Sequence, residues 1–192
     1  GSSMMRALLK EPAMTAANEN QSDSAYVRGE KIGASREIGV SREALWAVVS
    51  QPGQAPRFHP FCRESRVMQW PGVGARDTVT YASGLHIERH FTGWLEGKGF
   101  DIEVGLPPKK NAFVEWRIED TGEASCRLTI SLTPYLKAGL TAEQARDFQQ
   151  RYFADSILLY LDSVLRGVEQ LAVTGVPVEP DQFGHHSQYS QP

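Results

Sequence analysis

Through the middle of this chain apolar and polar residues alternate, and near its end the apolar ones recur at steps of three and four. In "FDIEVGL" the side chains of Phe100, Ile102 and Val104 share one side, against Asp101 and Glu103. "AFVEWRIED" opposes Val114, Trp116 and Ile118 to Phe113, Glu115 and Arg117. "SCRLTISL" opposes Cys126, Leu128, Ile130 and Leu132 to Arg127, Thr129 and Ser131. A period of two is that of a strand, whose successive side chains leave opposite faces. One apolar and one polar face predict an antiparallel sheet covered on one side and wet on the other. "SRVMQW", "DTVTYA" and "LHIERHFTGWLE" extend the series upstream, and "PGVGA", "GKG", "PPKKN" and "TGEA" break it at turn length. The predicted topology is a meander.

A first strand near residues 27–38 precedes "SREALWAVVS", where Ser41 can cap a helix with Leu45, Trp46, Val48 and Val49 on its inner face. "QPGQAP" ends that helix, and "RFHPF" reads as an aromatic-rich turn or a short second helix. The last periodic stretch starts at Thr141 and Gln144, spaced as a capping box. Phe153, Ile157, Tyr160, Leu161, Val164, Val168 and Leu171 follow on one face. The spacing predicts one helix of roughly 30 residues, about 45 Å long, which Gly175 and Pro177 stop. Residues 1–24 lack an apolar period and read as a flexible arm. Residues 176–192, rich in proline and carrying His185 and His186, read as a flexible, solvated tail. The ordered module is therefore expected over residues 25–175.

Composition narrows the function. A chain of 192 residues with 41% hydrophobic content has room for one ordinary globular domain. A formal charge of −3 and a pI near 6.0 argue against a nucleic-acid partner or an anionic membrane surface. No apolar run approaches the roughly 20 residues that span a bilayer, so membrane insertion is not expected. Two cysteines, Cys62 and Cys126, are too few for a disulfide framework or a cysteine-built zinc site, and read as buried thiols. "GSS" at the start resembles a cloning remnant, and the apolar centre of "MMRALLKEP" is too short for a signal peptide. The cytoplasm is the default compartment.

Candidate chemistry starts in "GLHIERHF", where His86, Glu88 and His90 stand at alternate positions. The strand period groups Leu85, Ile87, Arg89 and Phe91 on the apolar side. It leaves His86, Glu88, His90, Thr92 and Trp94 on the wet side, where no fourth ligand is tied to them by spacing, so no metal is expected. The same period turns Arg89 inward. It pairs there with an internal carboxylate or snorkels to a rim, or it anchors a ligand's carboxylate, phenolate or enolate oxygen. His59, held on a constrained loop by Pro60, is the second candidate. Its neutral imidazole can shuttle a proton, or simply bond to a backbone carbonyl. Tyr81 and Tyr160 face inward by period, and Trp46 and Trp116 read first as packing. "GVGA" is too short and misplaced for a phosphate loop, and no cofactor is expected.

The order of elements, with "IGVSREALWAVVSQPGQAPRFHP", "GVGARDTVTY" and "LDSVLRGVEQLA", resembles the START-like helix-grip (SRPBCC) superfamily, which includes polyketide cyclases/dehydrases and the birch-pollen allergen type of carrier. The likeness covers roughly residues 27–173 and marks the fold better than any chemistry. It implies an α+β domain, a curved antiparallel sheet wrapped around a long C-terminal helix with an internal apolar cavity. The implied ligand is a small hydrophobic molecule, aromatic or polyketide-like. On that reading the cavity wall comprises Phe58, Phe61, Tyr81, Ile87, Phe91, Ile102, Val104, Trp116, Phe153, Ile157 and Tyr160. An enzyme of this kind would be a cofactor-independent cyclase or dehydratase, with Arg89 polarising a carbonyl and His59 moving a proton. A non-catalytic carrier or sensor and a co-chaperone-like protein-interaction module are the alternatives, and a homodimer stays open.

Overall fold

The structure is a computed structural model that describes residues 25–151 and 155–192; the expected N-terminal arm and Phe153 lie outside the described residues. Eight strands of the described residues make one antiparallel sheet: β1 (Tyr26–Arg28), β2 (Ile32–Ile38), β3 (Cys62–Gln69), β4 (Arg76–Tyr81), β5 (His86–Leu95), β6 (Gly99–Gly105), β7 (Ala112–Gly122) and β8 (Ser125–Lys137). Strands β3 to β8 pair in chain order as a meander, and β1 and β2 both pair with β8. Among the described residues four helices accompany them: α1 (Arg42–Val49), α2 (Ala55–Phe58), α3 (Ala142–Gln149) and α4 (Asp155–Thr174). This is the α+β helix-grip architecture.

Local chemistry sets the helix starts. The Ser41 hydroxyl accepts the Ala44 N–H at 3.1 Å and caps α1, which buries Leu45, Trp46 and Val49. Thr141 and Gln144 form the expected capping box, with bonds of 3.1 and 3.0 Å. The expected single helix is instead two described helices, with a wider turn at Gln150 and Arg151 before residues 152–154. Helix α3 buries no residue, whereas α4 buries Ile157, Leu161, Val164, Leu165, Val168 and Leu171. The apolar period belongs to α4 alone; over Ala142–Gln149 the one large apolar side chain is Phe148.

One end of the covered face is filled with rings. Trp46, Trp70, Trp94, Phe91 and Phe100 pack together, with centroids 4.9 Å apart for Trp46 and Phe100 and 5.1 Å for Trp70 and Trp94. Glu96 accepts both indole N–H groups, from Trp46 at 3.1 Å and Trp94 at 2.8 Å. Alternation had placed Trp94 on the wet face. A bulge between Phe91 and Gly93 shifts the count by one residue and turns Trp94 to the covered side. Glycine suits the bulge, because a Cβ at position 93 would lie 2.6 Å from the Asp101 carboxylate. His86 and His90 are exposed on the outer face, and Glu88 is ion-paired with Arg76 at 2.9 Å.

The segment expected to be a flexible tail is a packed strap. Residues 176–192 turn back along α4. The Val178 N–H donates to the Arg57 carbonyl (2.9 Å), the Asp181 N–H to the Pro60 carbonyl (3.2 Å), and the Ser83 N–H to the Tyr189 carbonyl (3.0 Å). His186 and Ser190 are fully buried within it. Irregular backbone held by single bonds and ring contacts has no period, so alternation is blind to it. Among the described residues no helix is long and apolar enough to cross a membrane.

Candidate ligand-binding site

The other end of the covered face is hollow. A cavity of about 670 Å³ lies between the sheet and α4. Val79, Ile87, Ile102, Trp116 and Ile130 line it from the strands, Leu161 and Val164 from α4, and Phe58 from α2. Gly167 lets α4 touch α2: a Cβ there would sit 1.8 Å from the Phe58 carbonyl oxygen. That close approach fixes Phe58 and His59 over the hollow. Lys109, Lys110, Lys137, Leu140 and Phe148 line the cavity from the β6–β7 turn, the end of β8 and the α3 region. The chain supplies walls for an apolar guest with polar groups at chosen points.

Of the residues expected on the wall, Phe58, Tyr81, Ile87, Ile102, Val104, Trp116 and Tyr160 line the cavity, and so do the two expected catalytic residues, His59 and Arg89. Phe61, Phe91 and Ile157 do not. Phe61 stacks behind Tyr160 at 5.9 Å, Phe91 belongs to the ring-filled end, and Ile157 is packed in the core. All three are buried, Phe91 and Ile157 on the covered side as their periods require, but a buried face is larger than a cavity wall. Sequence reasoning missed Asp77, Gln188 and Tyr189. Asp77 shares its side of β4 with Val79 and Tyr81, so the alternation of "DTVTY" carried the signal; the two strap residues carried none.

Asp77 is 1% exposed and answers the question of how Arg89 lives inside. It lies opposite Arg89 across the β4–β5 ladder. Arg89 donates to the Asp77 carboxylate twice, from Nε at 2.8 Å and from Nη2 at 2.5 Å. This is the bidentate geometry that makes a buried charge tolerable. Burial by itself would lower the Arg89 pKa, but the Asp77 carboxylate raises it, so the guanidinium stays charged. Arg89 still lines the cavity, and no hydrogen bond from Nη1 is formed among the described residues.

His59 sits at the end of α2 and makes two bonds. Its Nδ1 accepts the Phe61 N–H at 3.2 Å, so the neutral ring carries its proton on Nε2 and donates to the Tyr160 hydroxyl at 2.8 Å. Tyr160 in turn bonds the Tyr81 hydroxyl at 3.1 Å. Burial first, and the nearby Arg89 charge second, push His59 down to about 3. Burial holds Tyr81 and Tyr160 well above the usual phenol value and pushes the neighbouring Cys62 thiol up to about 12. At neutral pH the polar wall therefore presents a charged guanidinium and protonated phenols to whatever enters. Nothing in this set titrates near 7.

The family described as polyketide cyclase/dehydrase and lipid transport matches residues 30–164. The chain belongs to that family. Ribosome association toxin RatA of Pseudomonas aeruginosa is 30% identical over 106 residues, which are 50% of this chain and 72% of that protein. Among solved structures, norcoclaurine synthase from Thalictrum flavum in complex with dopamine and hydroxybenzaldehyde is 17% identical. It superposes with a TM-score of 0.58 over 78% of this chain and 88% of its own. An uncharacterised protein from Bacillus thuringiensis, 13% identical, gives 0.56 over 75% and 99%. At these identities the structural likeness speaks for the fold.

Proposed function

We propose that this family member binds a small, mostly apolar, oxygen-bearing aromatic or polyketide-like molecule in the cavity. Arg89, Tyr81 and Tyr160 then meet its oxygen. The observation that carries this reading is the pairing of an apolar hollow of about 670 Å³ with a charged guanidinium and two phenols on its wall. Donors placed around an apolar chamber suit a carbonyl, phenolate or enolate oxygen, whose negative charge they stabilise. The dopamine and hydroxybenzaldehyde bound by norcoclaurine synthase are ring-sized molecules in a protein of the same fold, which supports the size class. His59, with a pKa near 3, is a positioning donor for Tyr160 rather than a proton carrier. If the ligand has an enolisable carbonyl, Arg89 would polarise it, and cyclisation or dehydration would follow from the folding of the substrate by the walls.

The test is calorimetric titration with 2-naphthol, alongside native mass spectrometry of the purified protein for a retained small molecule. Stoichiometric binding is expected. Replacing the pair together, Arg89→Met with Asp77→Leu, avoids stranding a charge and should weaken 2-naphthol roughly ten- to hundredfold, the loss of about 1.5–3 kcal/mol for a charge-assisted bond. Wild-type protein that binds no 2-naphthol and retains no small molecule would sink the reading.

A further inference from the structure

The family match ends at residue 164, yet the cavity wall does not. Gln188 and Tyr189 line it from the strap, beyond the part of the chain that the family accounts for. The Tyr189 ring stands 4.5 Å from Tyr81 on β4 and 4.9 Å from Tyr160 on α4, measured between centroids. It therefore spans the gap between the end of β4 and the first turns of α4. The strap is built to hold it there. The His186 Nε2–H donates to the Ser156 carbonyl at 3.0 Å, and its Nδ1 accepts the Gln188 N–H at 3.1 Å. Ser190 bonds Asp181 at 2.5 Å and accepts the His186 N–H at 2.8 Å, while the Tyr189 carbonyl is tied to Ser83. The position of one ring is thus fixed from both neighbouring residues and from both sides of the gap.

We propose that the strap is the size-selecting wall of the binding site, with Tyr189 as the specificity-determining residue that confines the ligand to ring-sized molecules and excludes long acyl chains. The inference rests on the ligand-binding reading above. Tyr81, Tyr160 and Tyr189 close this side of the cavity with rings, so a guest longer than the hollow cannot extend past them while the Tyr189 ring is in place. Removing the ring opens that path. Each methylene then taken from water adds favourable free energy, and two of them are worth about tenfold in affinity.

The experiment measures 2-naphthol and palmitate affinity by calorimetry for the wild-type chain, Tyr189→Ala and Tyr189→Phe, with the melting temperature of each. The wild type should prefer 2-naphthol. Tyr189→Ala should tighten palmitate by about tenfold and weaken 2-naphthol, and Tyr189→Phe should keep the wild-type preference because the ring and not the hydroxyl makes the wall. A palmitate-to-naphthol ratio unchanged in Tyr189→Ala, whatever happens to its melting temperature, would overturn the strap's role and leave the cavity reading standing. A wild type that binds neither probe and retains no small molecule would end both.

Discussion

The two ends of the covered sheet face follow one rule of alternation and do opposite things with it. At one end Trp46, Trp70, Trp94, Phe91 and Phe100 interlock, and their indole N–H groups are all satisfied, those of Trp46 and Trp94 by the Glu96 carboxylate and that of Trp70 by the Ser50 carbonyl at 2.9 Å. At the other end Tyr81, Tyr160, His59 and Arg89 surround open space. The filled end converts apolar area into stability, because rings in contact fill the volume between layers. The hollow end gives up that contact and holds its polar groups in place by bonding them to one another. Arg89 marks the border, with its guanidinium over the Phe91 ring at 5.2 Å on one side and the cavity on the other.

Two variants should show the largest effects, one from each end. Phe100→Ala removes a ring that touches four others and should cost about 3–5 kcal/mol in chemical denaturation, while leaving 2-naphthol affinity nearly unchanged. Asp77→Ala should cost a similar 3–5 kcal/mol for a different reason, since it strands the Arg89 charge in the interior. Arg89→Met alone should destabilise too, by stranding Asp77; the paired replacement should recover most of the loss. An Asp77→Ala protein as stable as the wild type would mean that the cavity hydrates Arg89 freely, and the contrast between the ends would weaken.

Next comes a pH effect confined to the hollow end. His59 titrates near 3 in the fold against an ordinary 6.5, so the folded state disfavours its proton. Above about 6.5 neither folded nor unfolded chain binds that proton and the full stability is present. Between 6.5 and 3 only the unfolded chain takes it up, so stability falls as pH falls, by up to about 1.4 kcal/mol per unit. His59→Gln should flatten this slope in denaturation measured from pH 7 to 4. An equal slope in both proteins would mean that other groups carry the acid sensitivity. The smallest effect is expected outside: changing His86 and His90 together to glutamine should shift stability by less than about 0.5 kcal/mol.

Periodicity made the sheet, its covered face and the inward turn of Arg89 legible, because each depends on a side chain's parity in a strand. The capping box at Thr141 was legible for a similar reason, as a short-range pair at fixed spacing. Trp94 was misplaced because a bulge changes parity, and the glycine that permits it also fits an ordinary turn or strand. Asp77 was readable and overlooked: a lone carboxylate in an inward register is what an inward arginine requires. The strap is another matter. Its order comes from contacts between residues such as Tyr189 and Ser83 that are far apart in the chain, and no local pattern encodes those.

The uneven placement of the indoles makes the protein its own optical probe. Of its four tryptophans, Trp46, Trp70 and Trp94 sit in the filled end, and Trp116 alone lines the cavity. A guest should therefore quench or shift the emission of one fluorophore while the other three go on reporting the integrity of the fold. Occupancy should perturb one indole, whereas unfolding should perturb all four.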